Sequence, residues 1–272
     1  MSEVTFTPRK RLGQHFLRSR QIAQRIVDAA EISKHDVVLE IGPGDGMLTG
    51  LLLERAGLVV AVEIDPRAVQ LLQRRFLSAQ HLYLMQADVR ALDLAALCRE
   101  VANKFSPSLL HFRVVANLPY YITSTAIRQI LQQAAFFDLI VLTVQAEVAE
   151  RIVARPPAMS LLGVSVQFYA DPELLFRIPP HHFFPRPQVT SAVIRLRPHR
   201  RFAHLDEARF FGWVRAGFSQ PRKQLANAIA TALGQPKEKV RELLVRVGVD
   251  PERRAETLSL EEWARLAQLG EL

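Results

Sequence analysis

Residues 36–47 read Asp36-Val37-Val38-Leu39-Glu40-Ile41-Gly42-Pro43-Gly44-Asp45-Gly46-Met47. The run Val37 to Ile41, apolar but for Glu40, stops at a glycine cluster. This predicts a buried strand ending in a turn, with a helix over Met47 to Arg55 behind it. Downstream, the stretch from Leu58 to Ile64 is a second apolar strand, Pro66 opens a helix reaching about Phe76, and Leu82 to Ala87 is a third strand. Arg113 to Ala116, a helix over Thr123 to Ala135, Leu139 to Val144 and a helix over Glu147 to Ala154 continue the alternation. Strands alternating with helices make βαβ units around a parallel sheet. Two further β-rich stretches, Gly163 to Tyr169 and Ser191 to Leu196, are expected to complete the sheet, with an antiparallel edge. Composition changes at Arg197-Pro-His-Arg-Arg201. Beyond it, helices are expected at Asp206 to Phe218, Lys223 to Leu233, Lys237 to Val247 and Ser259 to Leu269. The expectation is an α/β domain over residues 1–200 and a small all-helical domain over residues 201–272.

Whole-chain properties narrow the function. Lys and Arg number 35 against 27 Asp and Glu, a formal net charge of +8, which suits a polyanionic partner because basic side chains release counterions from phosphates. The clusters Arg9-Lys10-Arg11, Arg195 with Arg197, Arg200 and Arg201, and Arg222-Lys223 sharpen that reading toward nucleic acid. Cys98 is the only cysteine, which excludes internal disulfides and cysteine-rich zinc sites. The polar, basic start does not read as a secretory signal, and no run approaches the roughly 18 apolar residues of a membrane span. A cytoplasmic protein without membrane attachment is expected.

Strand ends carry the chemistry. Gly42, Gly44 and Gly46 follow a strand and open a helix, where backbone can approach a ligand and free N–H groups point at it. Dinucleotide and phosphate binders use similar clusters, although this one is not G-x-G-x-x-G. Glu63 ends the second strand, where a carboxylate can accept from both hydroxyls of a ribose. Asp88 follows the third strand, where it can receive an adenine amino group. Each acid taken singly reads equally well as a solvated loop residue or a helix cap. Together they outline a crevice for an adenosine-containing cofactor, the pattern that resembles class I S-adenosylmethionine-dependent methyltransferases.

Asn117-Leu118-Pro119-Tyr120 lies at a fourth strand end facing the same crevice. An exocyclic adenine amine is a poor nucleophile because its lone pair is delocalised into the ring, so a site must favour the pyramidal geometry. The Asn117 side-chain carbonyl and the Leu118 main-chain carbonyl can each accept one amine hydrogen. Pro119 fixes the turn, and Tyr120 offers a face for the base. His181 and His182 have no carboxylate or cysteine at ligand spacing, so no metal is expected.

These motifs, with Arg9 to Leu17, Glu40-Ile-Gly-Pro-Gly44, Val62-Glu-Ile-Asp65, Gln145-Ala-Glu-Val148 and Pro187-x-Val-x-Ser-Ala-Val193, resemble the ribosomal RNA adenine N6-dimethyltransferase family over essentially the whole chain. The resemblance implies a Rossmann-like class I methyltransferase sheet and S-adenosylmethionine as methyl donor. The substrate it implies is a pair of adjacent adenosines in a hairpin near the 3′ end of small-subunit rRNA, within an immature ribosomal subunit, with the protein acting as a monomer. It further implies that residues 1–20 cover the cofactor, making His15 and Leu17 contacts beside Gly42, Gly44, Glu63, Asp88 and Asn117. Phe183 would be the aromatic packed on the target adenine, and Arg222 and Lys223 RNA contacts. The chain departs from the family pattern at Ala146, Pro156 to Leu162, Gln188, Thr190 and Pro221, all away from the cofactor and amine motifs. Alternative readings are a resistance-type methylase of large-subunit rRNA and a non-catalytic assembly factor.

Overall fold

A computed structural model describes residues 8–9, 12–105 and 111–269. Lys10 and Arg11 of the first basic cluster, and residues 1–7 of the expected covering segment, lie outside them. The chain divides into two compact units, residues 1–149 with 171–199, and residues 150–170 with 200–272.

The first unit begins with β1 (Phe16–Leu17) and α1 (Arg20–Ala29). Ser19 caps α1 by accepting from the Ile22 N–H at 3.3 Å, and Ile22, Ala23, Ile26 and Val27 form its buried stripe. Then come β2 (Asp36–Ile41), α2 (Met47–Arg55), β3 (Leu58–Glu63), α3 (Pro66–Arg75), β4 (Leu82–Gln86), α4 (Leu94–Phe105), β5 (His111–Asn117), α5 (Thr123–Gln132) and β6 (Phe137–Gln145), while the boundary between the units falls within α6 (Ala146–Val153). Asp65 caps α3 and Pro66 takes its first turn, where a missing N–H costs nothing. β2 to β6 pair in parallel, and the whole sheet has the order β4, β3, β2, β5, β6, then Ser191–Pro198, then Ala170–Ile178. Every residue of β2 and β3 is buried, which accounts for their nearly unbroken apolar sequence. Strand order reverses between β2 and β5, so the crevice of an open α/β sheet falls at their carboxyl ends.

Two sequence expectations are corrected. Gly163 to Tyr169 is no strand: α7 (Leu161–Gln167) runs there, capped by Ser160. Its valines misled the periodicity, since a short apolar run reads the same in a buried helix or strand. The edge strand is instead β7 (Ala170–Ile178), followed by β8 (Phe183–Phe184), which pairs antiparallel with β1. Pro172 and the charged residues of β7 suppress the sequence signal, and an edge is where a strand tolerates proline. β9 (Ser191–Pro198) pairs antiparallel with β6, as expected of Ser191 to Leu196, but lies inside β7.

The single boundary expected at residue 200 is likewise corrected, because residues 150–170 belong to the second unit. Met159, Val164 and Phe168 pack in one buried cluster with Phe202, Phe210 and Trp213. The remaining helices are α8 (Glu207–Phe218), α9 (Leu225–Leu233), α10 (Lys237–Arg246) and α11 (Leu260–Gln268). Trp213 and Trp263 are almost fully buried in that cluster, and Ser259 with Glu262 forms a reciprocal capping box on α11. No helix among the described residues is long and apolar enough to cross a membrane.

Candidate active site

At the carboxyl ends of β2 to β5 lies an open cleft enclosing about 780 Å³ of space, its mouth included. The cleft gathers Gly42, Gly44, Glu63, Asp88, Asn117, Leu118, Pro119, Tyr120, His15 and Phe183. Parallel pairing explains the gathering, since Ile41 lies beside Val62 and Ala116, and Glu63 beside Gln86.

Glu63 is 4% exposed. Its carboxylate accepts from the Gly44 N–H at 3.0 Å and the Asp65 N–H at 2.8 Å. Burial raises its pKa, and those two backbone donors oppose the rise. A carboxylate has about four lone-pair positions, so capacity remains to accept from the hydroxyls of a ligand. Asp88 accepts from the Arg90 backbone at 2.9 Å and from its guanidinium at 2.6 to 3.1 Å. The Arg90 hydrogen bonds hold its pKa below the ordinary range, which keeps it an acceptor. Gly44 has φ +59°, and a Cβ there would lie 2.7 Å from the Phe16 ring. Only glycine lets that ring settle on the loop.

Asn117 ends β5, and its side-chain N–H donates to the His15 carbonyl at 3.1 Å. That carbonyl can only accept, so the amide nitrogen must face it and Oδ1 is left to accept elsewhere. The Leu118 N–H donates to the Thr143 carbonyl at 3.2 Å. Pro119, at φ −57° and ψ 134°, leads into a 3-10 turn over Tyr120–Ile122. The Tyr120 hydroxyl lies 2.7 Å from Ser191 Oγ, and the His15 ring centroid lies 5.4 Å from that of Tyr120. Burial raises the Tyr120 pKa against the Ser191 hydrogen bond.

The segment before α1 forms one wall. Gln14 donates to Asp65 Oδ2 at 3.3 Å and accepts from the Arg9 N–H at 2.8 Å. His15 Nδ1 lies 2.6 Å from the Pro185 carbonyl. An acceptor-only partner requires the proton on Nδ1, leaving Nε2 of the neutral ring as an acceptor. The strand pair sets Phe16 opposite Phe184 and Leu17 opposite Phe183.

Leu17 is not brought to the cleft. It is 3% exposed, packed with Ile22, Ile178 and Phe183 in the core. Phe16 lines the cleft in its place. Sequence reasoning also passed over Gln14, Ile64 and Tyr121, all in the wall, and Ser191 behind Tyr120. The pairing of Glu63 with a following apolar residue was the available signal for Ile64; Ser191 stands in the motif Pro187-x-Val-x-Ser-Ala-Val193, but nothing local gave its hydroxyl a partner. Two of the basic residues read as nucleic-acid contacts are held elsewhere: Arg195 pairs with Glu31 and Glu173, and Arg197 with Glu31. Arg222 and Lys223 are exposed in the second unit. Among the described residues, no group of His, Cys, Asp and Glu is placed to hold a metal ion.

A family model of ribosomal RNA adenine dimethylases matches residues 5–271. Ribosomal RNA small subunit methyltransferase A of Dehalococcoides mccartyi is 42% identical over 268 residues, covering 98% of this chain and 89% of that protein. Its namesake in Moorella thermoacetica is 40% identical over 270 residues, covering 98% and 93%. Among solved structures, a dimethyladenosine transferase from Plasmodium falciparum superposes with a TM-score of 0.76 at 26% identity, covering 93% of this chain and 96% of that one. The 23S rRNA methyltransferase ErmE gives 0.70 at 26% identity, covering 93% and 98%. With the glycine loop, the two acids and Asn117-Leu-Pro-Tyr120 on one cleft and the match running nearly end to end, the chain belongs to the ribosomal RNA adenine dimethylase family.

Proposed function

We propose that this chain transfers methyl groups from S-adenosylmethionine to the N6 amines of two adjacent adenosines in a hairpin near the 3′ end of small-subunit rRNA. The protein acts as a cytoplasmic monomer on an immature ribosomal subunit. The observation that carries the reading is the Asn117 amide, turned by the His15 carbonyl so that its own oxygen is left to accept in the cleft.

Bound S-adenosylmethionine supplies the methyl group on a cationic sulfonium. Glu63 would accept from the ribose hydroxyls and Asp88 from the adenine amine, and Ile64, 39% exposed in the cleft wall, would cover an apolar face of the ring. Asn117 Oδ1 and the Leu118 carbonyl accept the two hydrogens of the target amine and so localise its lone pair for in-line attack. Tyr120 and Phe183 hold the flipped base between aromatic faces. The methylated amine is acidic and loses its proton to water, so no strong base is required. Arg222 and Lys223 contact rRNA phosphates, which fix position without reading sequence.

The small subunit as target is supported by relatives at 40 to 42% identity named for action there. Labelled methyl donor, incubated separately with small and large subunits lacking the modification and followed by primer extension, tests it. Label confined to small subunits, with stops at two adjacent adenosines, is expected. Label on large subunits would assign the resistance-type activity, and no label on either would leave an assembly factor.

A further inference from the structure

Tyr120 and Tyr121 are consecutive in a 3-10 turn, where successive side chains point about a third of a turn apart. Tyr120 turns inward to Ser191. Tyr121 turns outward, lines the same cleft, and is 51% exposed. Its ring is seated rather than loose: a Cβ on Gly13 would fall 2.9 Å from its Cδ1. The Arg90 guanidinium stands 6.0 Å from the ring centroid, itself anchored on Asp88. An exposed aromatic alone is ordinary on a protein surface. A seated, half-open ring beside a tethered guanidinium, at the mouth of a cleft that takes a flipped base, is the combination that single-stranded nucleic acid sites use.

Flipping a base removes a stacking partner from its neighbour, and that neighbour's exposed face costs energy until something covers it. We propose that Tyr121, flanked by Arg90, is a stacking subsite for the nucleotide next to the reactive adenosine. The inference rests on the proposed function and deepens it: with two adjacent targets, the neighbour held at Tyr121 is the second adenosine awaiting its turn. The 3-10 turn that aims Tyr120 at one base thus aims Tyr121 at the next.

Tyr121→Leu keeps an apolar side chain against Gly13 but removes the aromatic face, and Tyr121→Phe restores that face. With small subunits lacking the modification as substrate, Tyr121→Leu should raise KM about tenfold with kcat within about twofold, and Tyr121→Phe should restore KM. Calorimetry should give the same S-adenosylmethionine affinity for all three proteins. A hairpin RNA carrying 2-aminopurine beside the target adenosine supplies a readout independent of catalysis. Its fluorescence should be quenched at saturation by the wild type and by Tyr121→Phe, and not by Tyr121→Leu. Unchanged KM and equal quenching in Tyr121→Leu would overturn the subsite, as would a loss confined to cofactor affinity, which would make Tyr121 a prop for the Gly13 turn. Quenching without methyl transfer by the wild type would sink the proposed activity and leave the subsite standing.

Discussion

The Tyr120 hydroxyl and Ser191 Oγ, 71 residues apart in sequence, meet at 2.7 Å, and Ser191 is fully buried. An antiparallel strand added after the parallel ones thereby sets the angle of the ring offered to the base. Tyr120→Phe strands the Ser191 hydroxyl and is expected to cost about 1–2 kcal/mol of stability by urea unfolding. Ser191→Ala should cost less, since the phenol is nearer to solvent. Methyl transfer should survive Tyr120→Phe and fall sharply in Tyr120→Ala, which loses a stacking face worth about 1–3 kcal/mol. Equal activity of Phe and Ala variants would remove the ring from the reaction.

Glu63→Ala should weaken S-adenosylmethionine binding by about 1–3 kcal/mol, because hydroxyls lose a buried partner and the Gly44 and Asp65 N–H groups lose theirs. Activity at saturating cofactor should recover in part. Calorimetry on the folded variant decides it, and wild-type affinity would remove Glu63 from the cofactor's site.

The parallel sheet and much of its cleft were legible in sequence because four of the lining residues sit where an apolar run stops. Gly42, Glu63, Asp88 and Asn117 announce themselves by where a buried strand stops. Contacts made by pairing distant strands left no such mark. Leu17 packs in the core and Phe16 lines the cleft in a two-residue strand that exists only by pairing with β8, more than 160 residues away. Likewise α7 reads as a strand until Ser160 is seen capping it and Val164 is seen packed in the aromatic cluster of the second unit.

Arg222 and Lys223 are exposed, and neither makes an ion pair among the described residues. RNA affinity should fall steeply with salt, and replacing both by Ala should reduce the slope of log K against log salt by roughly 1.5. Cofactor affinity should not change. Filter binding across a salt series checks this, and an unaltered slope would place the phosphates elsewhere.

Glu40, in β2 two residues before Gly42, is 1% exposed, and burial pushes its carboxyl up to about 8. Its folded pKa therefore exceeds its unfolded value of 4.5. The stabilisation from its bound proton is complete below the unfolded pKa and is lost as pH rises toward the folded one. The slope is at most about 1.4 kcal/mol per pH unit, flattening above the folded pKa. Glu40→Gln lacks this titration, so its stability relative to wild type should improve steadily from pH 5 to pH 8. Parallel pH profiles of the two proteins in urea unfolding would contradict the assignment.

The Asn117 amide is committed on one side to His15. Asn117→Ala removes an acceptor that strengthens as the target amine pyramidalises, a loss typically on the order of a hundredfold to a thousandfold in rate. RNA affinity should stay near wild type, because phosphate contacts supply it. Asn117→Asp separates the two functions of the side chain: it keeps an oxygen toward the amine but places another against the His15 carbonyl, so the wall before α1 should loosen and cofactor affinity should drop as well. After the first methylation only one amine hydrogen remains, and the two acceptors cannot both be satisfied. The second transfer therefore depends on a single hydrogen bond, and either substitution should shift whatever product forms toward monomethyladenosine. Mass spectrometry of digested RNA measures the ratio. A normal yield of dimethyladenosine from Asn117→Ala would mean that the amine is oriented by some other group.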